Sequence, residues 1–341
     1  MEVGLRQAPV ISVIMGVYNA ETFLEEAIKS ILNQSFRDFE FIIVNDASTD
    51  NSVAIINRFN DDRIRVINNE NNIGLTRSLN KAIRQARGEF IARMDADDIS
   101  FPDRFREQVI FLKGHPAVAL CGCQVFKTSK PGEGFPLDHE KIKALALGSN
   151  PLAHPTVMWR RQAFIDNDLF YNESFRYAQD YELWSRALMK IKAANLPEHL
   201  FTYREHPGKI GNAKKDKQGA FAWQVKLSFL EYLHLHPTER EKEMHACIFD
   251  DGFKNHRTPG DIKDAENWFR KILEANETYK IFDTEELLNN WAKKVFCKGL
   301  YRYSPAIWVW SLSSVARKSA IVSSKHKAMF FIKCLLNKKN P

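Results

Sequence analysis

Cysteine is scarce in this sequence of 341 residues, and the few cysteines are not arranged as a metal site or a disulfide framework. There are five, an odd number, and no pair of CxxC motifs occurs among them. Disulfide-dependent proteins carry many cysteines in short chains, and structural zinc sites need paired cysteines at close spacing. The composition therefore predicts free thiols in a reducing compartment.

Long apolar segments are missing as well. No window of about 20 residues is both apolar and free of charge, as a membrane-spanning helix would have to be. The first residues, MEVGLRQAPVISVIMG, place a single basic residue before a short apolar run, which is a poor match to a secretory signal peptide. We therefore expect a cytoplasmic protein without a spanning helix.

Acidic residues are absent from the C-terminal tail, residues 287–341, which contains eleven lysines and arginines. Residues 1–286 hold the other 38 basic residues and all 42 acidic ones, so the body of the chain is mildly acidic. Large aromatic residues are interleaved with the basic ones of the tail: Trp291, Phe296, Tyr301, Tyr303, Trp308 and Trp310. A basic tail favours an anionic partner.

Two interpretations of the tail remain open. It is either a helical cap with a solvated basic face or a surface that binds anionic lipid. The second would make this a peripheral protein on the inner face of the cytoplasmic membrane, and it is the interpretation that we favour. Nucleic acid is not an expected partner, because no recognised nucleic-acid-binding module accompanies the tail.

The first third of the chain alternates short apolar runs with helical spacing. Strands are predicted at residues 10–15, 41–44, 64–67 and 90–94, and a helix is predicted after each of the first three. Continuous apolar strands that alternate with helices predict an α/β fold, a mostly parallel sheet with helices on both faces. Later patterns predict a strand at 118–125, a loop at 127–137, a strand entering a helix in 154–161, a helix at 178–189, a strand at 200–203 and helices beyond 214.

Glycine-rich phosphate loops are also missing. No GxGxxG follows the first strand and no GxxxxGK[ST] occurs, which disfavours dinucleotide and P-loop sites. Polar residues stand instead where three predicted strands end: Tyr18-Asn19, Asn45-Asp46, and the three aspartates of ARMDADD, residues 92–98. Ligands of parallel sheets bind at these carboxyl ends.

The three aspartates, Asp95, Asp97 and Asp98, need a cation, because neighbouring carboxylates repel each other. A helix N-terminus could favour Asp98, but it accounts less well for the other two. A calcium loop of the EF-hand type would need a glycine and a distant glutamate that this spacing lacks. A divalent ion shared between an Asp-x-Asp and a substrate diphosphate needs only this short motif.

Several motifs in order resemble the inverting family 2 glycosyltransferases. The matching segments are SVIMGVYNAETFLEEAIKSILNQSFRDFEFIIVNDASTDNS, NIGLTRSLNKAI, GEFIARMDADD and AQDYELW, within residues 8–212. The resemblance implies a GT-A fold and transfer of a sugar from a nucleotide diphosphate donor with a divalent metal. Order and length also resemble bacterial lipooligosaccharide and capsule glycosyltransferases.

The resemblance implies a set of donor-binding residues. Tyr18 would lie near the donor base, Asp46 would bind the uracil ring, and Asp95 would face the ribose. The other implied donor contacts are Asn19, Arg77, Ala96 and Arg204. The sequence departs from the family pattern at Asn45 and Ala47, where an aspartate and a glycine are usual.

The resemblance also implies the metal and the base. Asp97, with Asp95 and His206 of YREHPG, would hold Mn²⁺ or Mg²⁺. Asp180 would be the catalytic base that takes the proton of the acceptor hydroxyl, although Gln179 replaces the usual glutamate before it. Glu182 could compete, but it lies about 200° around the helix from Asp180 and cannot share its site.

The predicted activity is metal-dependent, inverting transfer from a nucleotide sugar to a hydroxyl group of a bacterial surface glycan or lipid-linked oligosaccharide. The donor is expected to be a UDP-sugar, with GlcNAc, GalNAc, Gal or Glc as the sugar. Residues 1–212 are predicted to form the catalytic domain and residues 213–341 a helical C-terminal region. The alternatives are a non-catalytic sugar-nucleotide or glycan-binding module and a nucleotidyltransferase.

Overall fold

The computed structural model describes residues 8–127, 130–131, 134–206, 215–251 and 258–293. The chain divides into two compact units, and the division runs through segments 139–151 and 223–224. The first unit comprises residues 1–139 and 151–223, and the second comprises residues 140–150 and 224–341. Most of the basic tail, from residue 294 onward, lies outside the described residues.

All strands of the described residues join one sheet in the first unit. They are β1 (Ile11–Val17), β2 (Phe39–Asn45), β3 (Ile64–Asn68), β4 (Phe90–Met94), β5 (Ile99–Ser100), β6 (Val118–Lys127), β7 (Lys130–Pro131), β8 (Met158–Arg160) and β9 (Lys192–Tyr203). The order across the sheet is β3-β2-β1-β4-β8-β6-β9-β5, with β7 paired to the end of β6.

The half of the sheet made by β1 to β4 is parallel, as the apolar runs predict. Strands β2 and β4 are buried along their whole length, and β1 is buried at all but one position. Residues that are buried on both faces of a sheet must be apolar on both sides, which explains why the runs are continuous.

The other half of the sheet is mixed. Strand β8 is antiparallel to both β4 and β6, whereas β9 is parallel to β6. Strand β9 is longer than the predicted strand at 200–203 because a bulge absorbs Pro197 and Glu198: Cys123 pairs with Leu196 and Gln124 with His199. The predicted loop at 127–137 contains β7, a short edge strand that includes Pro131.

Within the described residues, seven α-helices precede those of the C-terminal region. They are α1 (Leu24–Leu32), α2 (Ser52–Ile56), α3 (Leu75–Gln85), α4 (Arg104–Gly114), α5 (His139–Ala146), α6 (Arg161–Asp166) and α7 (Gln179–Ala187). On α1, the buried residues Leu24, Ala27, Ile28 and Ile31 fall at helical spacing. A core cluster lies on the side of the sheet that receives Phe90, Ala92 and Met94 of β4.

The described helices beyond residue 214 agree with the apolar spacing there. They are α8 (Lys215–Tyr232), which spans the division at 223–224, and α9 (Glu239–Ala246), α10 (Pro259–Tyr279) and α11 (Thr284–Lys293) of the second unit. Thr238 and Thr258 begin α9 and α10 with reciprocal capping boxes. Within the described residues, no helix has the length and apolarity needed to cross a membrane.

Candidate active site

Three sequence-predicted segments meet at the carboxyl edge of the parallel strands. Tyr18 and Asn19 follow β1, Asp46 follows β2, and Asp95 follows β4. Because β1 lies between β2 and β4 with parallel register, the three strand ends are neighbours. The topology thus brings these polar side chains to one edge of the sheet, where parallel sheets bind their ligands.

Asn19 ties the loop after β1 to the loop after β2. Its side-chain oxygen accepts a hydrogen bond from the Thr49 backbone N–H at 2.8 Å, and its own N–H donates to Ser48 Oγ at 3.1 Å. The backbone of Asn19 is left-handed with φ of 49°, a conformation that asparagine tolerates better than most residues. The preceding Tyr18 is 52% exposed. Its ring is therefore open to a ligand.

Asp46 is buried and holds the turn that starts α3. Its carboxylate accepts hydrogen bonds from Asn69 Nδ2 at 2.8 Å and from the backbone N–H groups of Ile73 at 2.9 Å and Gly74 at 2.8 Å. Gly74 has φ of +89°, which a residue with a side chain rarely adopts. An ionised carboxylate has about four acceptor sites, so Asp46 retains capacity for one further donor.

The aspartate cluster after β4 brings together the side chains of Asp95, Asp97 and Asp98. One oxygen from each lies within 4.8 Å of the others. Asp98 is fully buried and accepts a hydrogen bond from the Arg204 backbone N–H at 2.9 Å. The residue that caps α4 is Asp103, so the alternative that Asp98 caps this helix is wrong.

Basic residues from two parts of the chain contact the cluster. Arg93, inside β4, forms an ion pair with the Asp95 carboxylate. After β9, His206 Nε2 lies 2.9 Å from Asp97 Oδ2, and the Arg204 guanidinium donates to the Asp97 backbone carbonyl at 3.1 Å. The guanidinium groups of Arg93 and Arg204 thus offset part of the like charge of the aspartates.

Helix α1 supports the end of β9. The Arg204 guanidinium lies over the Phe23 ring at 4.6 Å and pairs with Glu26, and the His206 ring centroid is 4.8 Å from that of Phe23. The contacts with Phe23 and Glu26 hold Arg204 and His206 beside the aspartates. The family resemblance implied that Arg204 is a donor contact and that His206 is a metal ligand.

Asp180 is the second residue of α7, after Ala178 with a left-handed φ of 53°. Burial raises the pKa of the Tyr203 hydroxyl, and the charges of Asp95, Asp98, Asp97 and Asp180 raise it further. Asp180 is therefore near enough to Tyr203, at the end of β9, to act on the same hydroxyl as the three aspartates.

The rival base, Glu182, is engaged elsewhere. It is buried, and its carboxylate accepts hydrogen bonds from the Arg186 guanidinium at 2.8 and 2.9 Å. This arrangement agrees with the predicted separation of Asp180 and Glu182 around the helix.

Arg77 lies in the first turn of α3 and is mostly exposed, and its Nε donates to Glu173 at 3.1 Å. Ala96 lies between Asp95 and Asp97 and is buried. Neighbouring α3 residues hold the segment that leads to Asp180: Asn80 exchanges two hydrogen bonds with the Tyr171 backbone, and Thr76 donates to the Phe175 carbonyl. Helix α3 therefore connects the turn at Asp46 with the approach to Asp180.

Sequence reasoning overlooked a buried polar group beneath the aspartates. His154 Nε2 is 2.7 Å from the Tyr171 hydroxyl, and both residues are buried near Arg93. Burial and the nearby Arg93 charge hold the pKa of His154 well below its ordinary value, so the ring is neutral. The available signal was an arginine inside an apolar strand, FIARM.

The donor set fits a divalent metal ion. Asp95 and Asp97 offer carboxylate oxygens, and His206 offers a ring nitrogen that already touches Asp97. Mn²⁺ accepts both oxygen and imidazole ligands, whereas Mg²⁺ prefers oxygen. The side chains of Asp97 and His206 are 24% and 19% exposed, so a ligand can reach them.

Sequence comparisons match the chain to known proteins. The family model described as Glycosyl transferase family 2 matches residues 12–180. Putative glycosyltransferase EpsE of Bacillus subtilis is 33% identical over 235 residues, which cover 67% of this chain and 82% of EpsE. The O-antigen biosynthesis glycosyltransferase WbnJ of Escherichia coli is 32% identical over 216 residues, covering 59% of this chain and 82% of WbnJ.

Solved structures match over most of the chain. S. aureus TarS 1–349 in complex with UDP-GlcNAc gives a TM-score of 0.56 at 18% identity, and the match covers 94% of this chain and 91% of that 1–349 chain. The mannosyltransferase PcManGT of Pyrobaculum calidifontis, in complex with GDP-Man and Mn²⁺, gives 0.52 at 16% identity and covers 97% and 88%. At these identities the likeness shows the fold alone.

Proposed function

The chain belongs to glycosyltransferase family 2 and has the GT-A fold that its motifs predict, and from this premise we propose a specific activity. It is a metal-dependent, inverting transferase that moves a sugar from a UDP-sugar to a hydroxyl group of a bacterial surface glycan or lipid-linked oligosaccharide. The named role of WbnJ in O-antigen biosynthesis and the UDP-GlcNAc bound to TarS support this choice of acceptor and donor. Membership of the family disfavours the nucleotidyltransferase alternative.

One observation carries the proposal: the charges of four carboxylates raise the pKa of the Tyr203 hydroxyl, three of these carboxylates cluster after β4, and one of the three, Asp97, contacts His206. Three of the four follow β4, and the fourth, Asp180, begins α7. A metal-dependent transfer by direct displacement needs carboxylates for the metal and a separate carboxylate for the acceptor. A non-catalytic binding module would have no need for Asp180.

The donor would bind along the strand ends. We assign the nucleoside to the open Tyr18 ring, to Asn19 and to the remaining acceptor capacity of Asp46. Asp95 and Ala96 would contact the ribose, and Arg77 and Arg204 would offset the charge of the diphosphate. Backbone groups and side chains that are already fixed by hydrogen bonds bind a ligand with a smaller loss of conformational entropy.

The metal would be held by Asp97, Asp95 and His206. A bound Mn²⁺ or Mg²⁺ supplies charge to stabilise the departing diphosphate. The protein's own contribution is to keep the ligand atoms together, through the contact of His206 with Asp97 and the packing of the His206 ring against Phe23.

Asp180 would act on the acceptor. Its carboxylate oxygen takes the proton of the acceptor hydroxyl while the hydroxyl oxygen forms the new bond to the anomeric carbon and the bond to the diphosphate breaks. A single displacement inverts the anomeric configuration. Residues 1–212 form the catalytic domain in this proposal, and residues 213–341 form the helical C-terminal region.

The test is release of nucleoside diphosphate from a panel of nucleotide sugars, with and without Mn²⁺ or Mg²⁺. We expect metal-dependent release with one UDP-sugar, and Asp97→Asn should weaken Mn²⁺-supported UDP binding by at least about tenfold, as the loss of a charged ligand implies. Asp103→Asn is the matched control, because Asp103 is nearby but pairs with Arg106 instead. Equal UDP affinity in the two variants would remove the metal role from Asp97.

We also propose that the tail, residues 287–341, attaches the enzyme to an anionic membrane surface. Each basic residue near such a surface contributes about 1 kcal/mol before screening, so a few suffice for reversible binding. The full chain should sediment with vesicles that contain anionic lipid, and raised salt should release it. Equal binding to neutral and anionic vesicles, or binding to neither, would contradict the proposal.

A further inference from the structure

Arg93 is a charged residue in the most buried part of the sheet. It is the fourth of the five residues of β4, its side chain is 1% exposed, and its neighbours Ala92 and Met94 face the opposite side of the strand and belong to the core cluster. Charges are rarely placed in such a position without a partner, because the loss of hydration is costly. The contacts of Arg93 therefore indicate its function.

Asp95 is the main partner of Arg93. Burial alone would lower the pKa of Arg93, but the Asp95 carboxylate, with smaller effects from Tyr171 and Asp98, raises it above the ordinary value. The backbone N–H of Arg93 donates to the Val157 carbonyl at 3.0 Å. The guanidinium is enclosed by the sheet and pairs with the Asp95 carboxylate.

The two aspartates of the Asp-x-Asp motif are thus held by unlike partners. Arginine stays protonated, and Arg93 is enclosed by the sheet, so Asp95 keeps this partner whether or not a ligand is bound. Asp97 contacts His206, whose imidazole is 19% exposed and can turn from a hydrogen bond to a metal ion. The Asp95 carboxylate is held and partly neutralised by Arg93, whereas Asp97 is paired with His206, which is itself a candidate metal ligand.

We propose that Arg93 is a positioning residue that reserves Asp95 for the donor nucleotide and leaves the divalent cation to Asp97 and His206. This inference rests on the function proposed above and refines the shared assignment of Asp95. The ion pair engages one oxygen of Asp95 and offsets its charge, which makes it a weaker metal ligand. The remaining acceptor capacity suits a hydroxyl donor such as a ribose.

Three single variants test the role. Arg93→Met removes the charge and keeps a long side chain, and Arg93→Lys restores a charge. Arg104→Met is the matched control, because Arg104 is equally buried but donates to the Arg93 carbonyl and to Gln108. It therefore shares the structural cost of an altered buried arginine without a bond to an aspartate.

The measurements are the affinity for UDP at saturating Mn²⁺, by calorimetry, and the affinity for Mn²⁺ alone, by electron paramagnetic resonance. Arg93→Met should bind UDP about tenfold or more weakly, since a hydrogen bond to a charged group is worth at least that much, while Mn²⁺ alone binds as well as before or more tightly. Arg93→Lys should recover part of the UDP affinity. Arg104→Met should lower the melting temperature and leave both affinities within about twofold.

A second experiment asks whether Arg93 acts through Asp95. Asp95→Asn alone and together with Arg93→Met should lose the same UDP affinity, because the arginine has nothing left to position. Additive losses would overturn the inference, as would an equal loss of Mn²⁺ and UDP affinity in Arg93→Met. If Arg93→Met does not fold, Arg93→Lys is compared with Arg104→Lys by the same two affinities. Failure of the proposed function would instead appear in the unaltered chain, as an absence of Mn²⁺-dependent UDP binding.

Discussion

The two ends of the parallel sheet both contain buried carboxylates, but they use them differently. At the amino end, Glu40 accepts hydrogen bonds from Ser12 Oγ at 2.7 Å, from the Arg87 backbone N–H at 2.9 Å and from the Arg87 guanidinium at 3.0 Å. At the carboxyl end, the aspartates are held by Arg93, Arg204 and His206 around a point that a ligand can reach.

The carboxylate at the amino end stabilises the fold, whereas those at the carboxyl end are available for chemistry. The Ser12–Glu40–Arg87 network joins β1, β2 and the chain before β4, and it consists of contacts within the protein alone. The carboxyl end concentrates like charges that only a bound cation can fully offset. Substitutions at the amino end should therefore change the free energy of unfolding, and substitutions at the carboxyl end should change activity.

The largest effect is expected at Asp180. Asp180→Asn should lower the rate of sugar transfer by about 10²–10⁴-fold, because the acceptor hydroxyl loses its base. UDP affinity and melting temperature should stay close to those of the unaltered protein. Glu182→Gln is the control: it disturbs the pair with Arg186 and should keep most of the activity. An inactive Glu182→Gln beside an active Asp180→Asn would reverse the assignment.

The opposite end gives the complementary result. Glu40→Gln should lower the free energy of unfolding by about 2 kcal/mol, because charge-assisted hydrogen bonds are worth about 1.5–3 kcal/mol. Denaturant unfolding measures the loss, and the transfer rate below the melting transition should be unchanged. A Glu40→Gln protein of full stability but low activity would contradict the division between the two ends.

Acid should destabilise the chain through two buried histidines. His154 and His245 are neutral in the folded state, and burial lowers the pKa of His245 to about 3. Above about pH 6.5 neither state of the chain protonates them, and stability does not depend on them. Below it the unfolded chain binds protons first, so each histidine costs about 1.4 kcal/mol per pH unit until its folded pKa is reached.

Urea unfolding between pH 7.5 and 4.5 measures this slope, and His245→Gln should reduce it. Glutamine can still donate to the Leu147 carbonyl and accept from Trp268 Nε1, as His245 does. Glu40 has the reverse sign: burial would raise its pKa, but Ser12 and Arg87 hold it below the ordinary value, so its contribution is present above about pH 4.5 and is lost below. A slope that His245→Gln leaves unchanged would assign the acid sensitivity to other groups.

The smallest effect on the free energy of unfolding is expected at Arg77, in the first turn of α3. Its pair with Glu173 is exposed, so Arg77→Ala should change the free energy of unfolding by less than about 0.5 kcal/mol. If Arg77 meets the donor diphosphate, UDP affinity should fall severalfold in this variant and stay unchanged in Glu173→Gln. Equal UDP affinities of Arg77→Ala and Glu173→Gln would show that Arg77 does not contact the donor.

Local patterns predicted much of the fold. The apolar runs of β1 to β4 are buried on both faces, and such strands are visible in a sequence because no polar position interrupts them. Strand β9 was largely missed, since Pro197 breaks its pattern and only a bulge against β6 makes the pairing possible. The family and its fold were predicted from motifs and are confirmed.

The residue types of the candidate site were also present in the sequence, but their partners were not. ARMDADD shows three carboxylates after an apolar strand, and charge repulsion predicts a cation without saying which one. His206 and Asp97 are 109 positions apart, and they meet because β9 pairs with β5, the short strand that follows the aspartates.

Short-range hydrophobic pattern and turn chemistry therefore determine the strands, their carboxyl ends and the polar residues placed there. Tertiary packing determines the contacts of these residues. It encloses Arg93 beside Asp95, and it lets Asp46 accept three hydrogen bonds at the start of α3. It also brings Asp180 close enough to Tyr203 to raise the pKa of its hydroxyl together with the three aspartates. The reason is physical: periodicity acts over one turn or one pleat, whereas a buried charge finds its partner only when distant segments exclude water together.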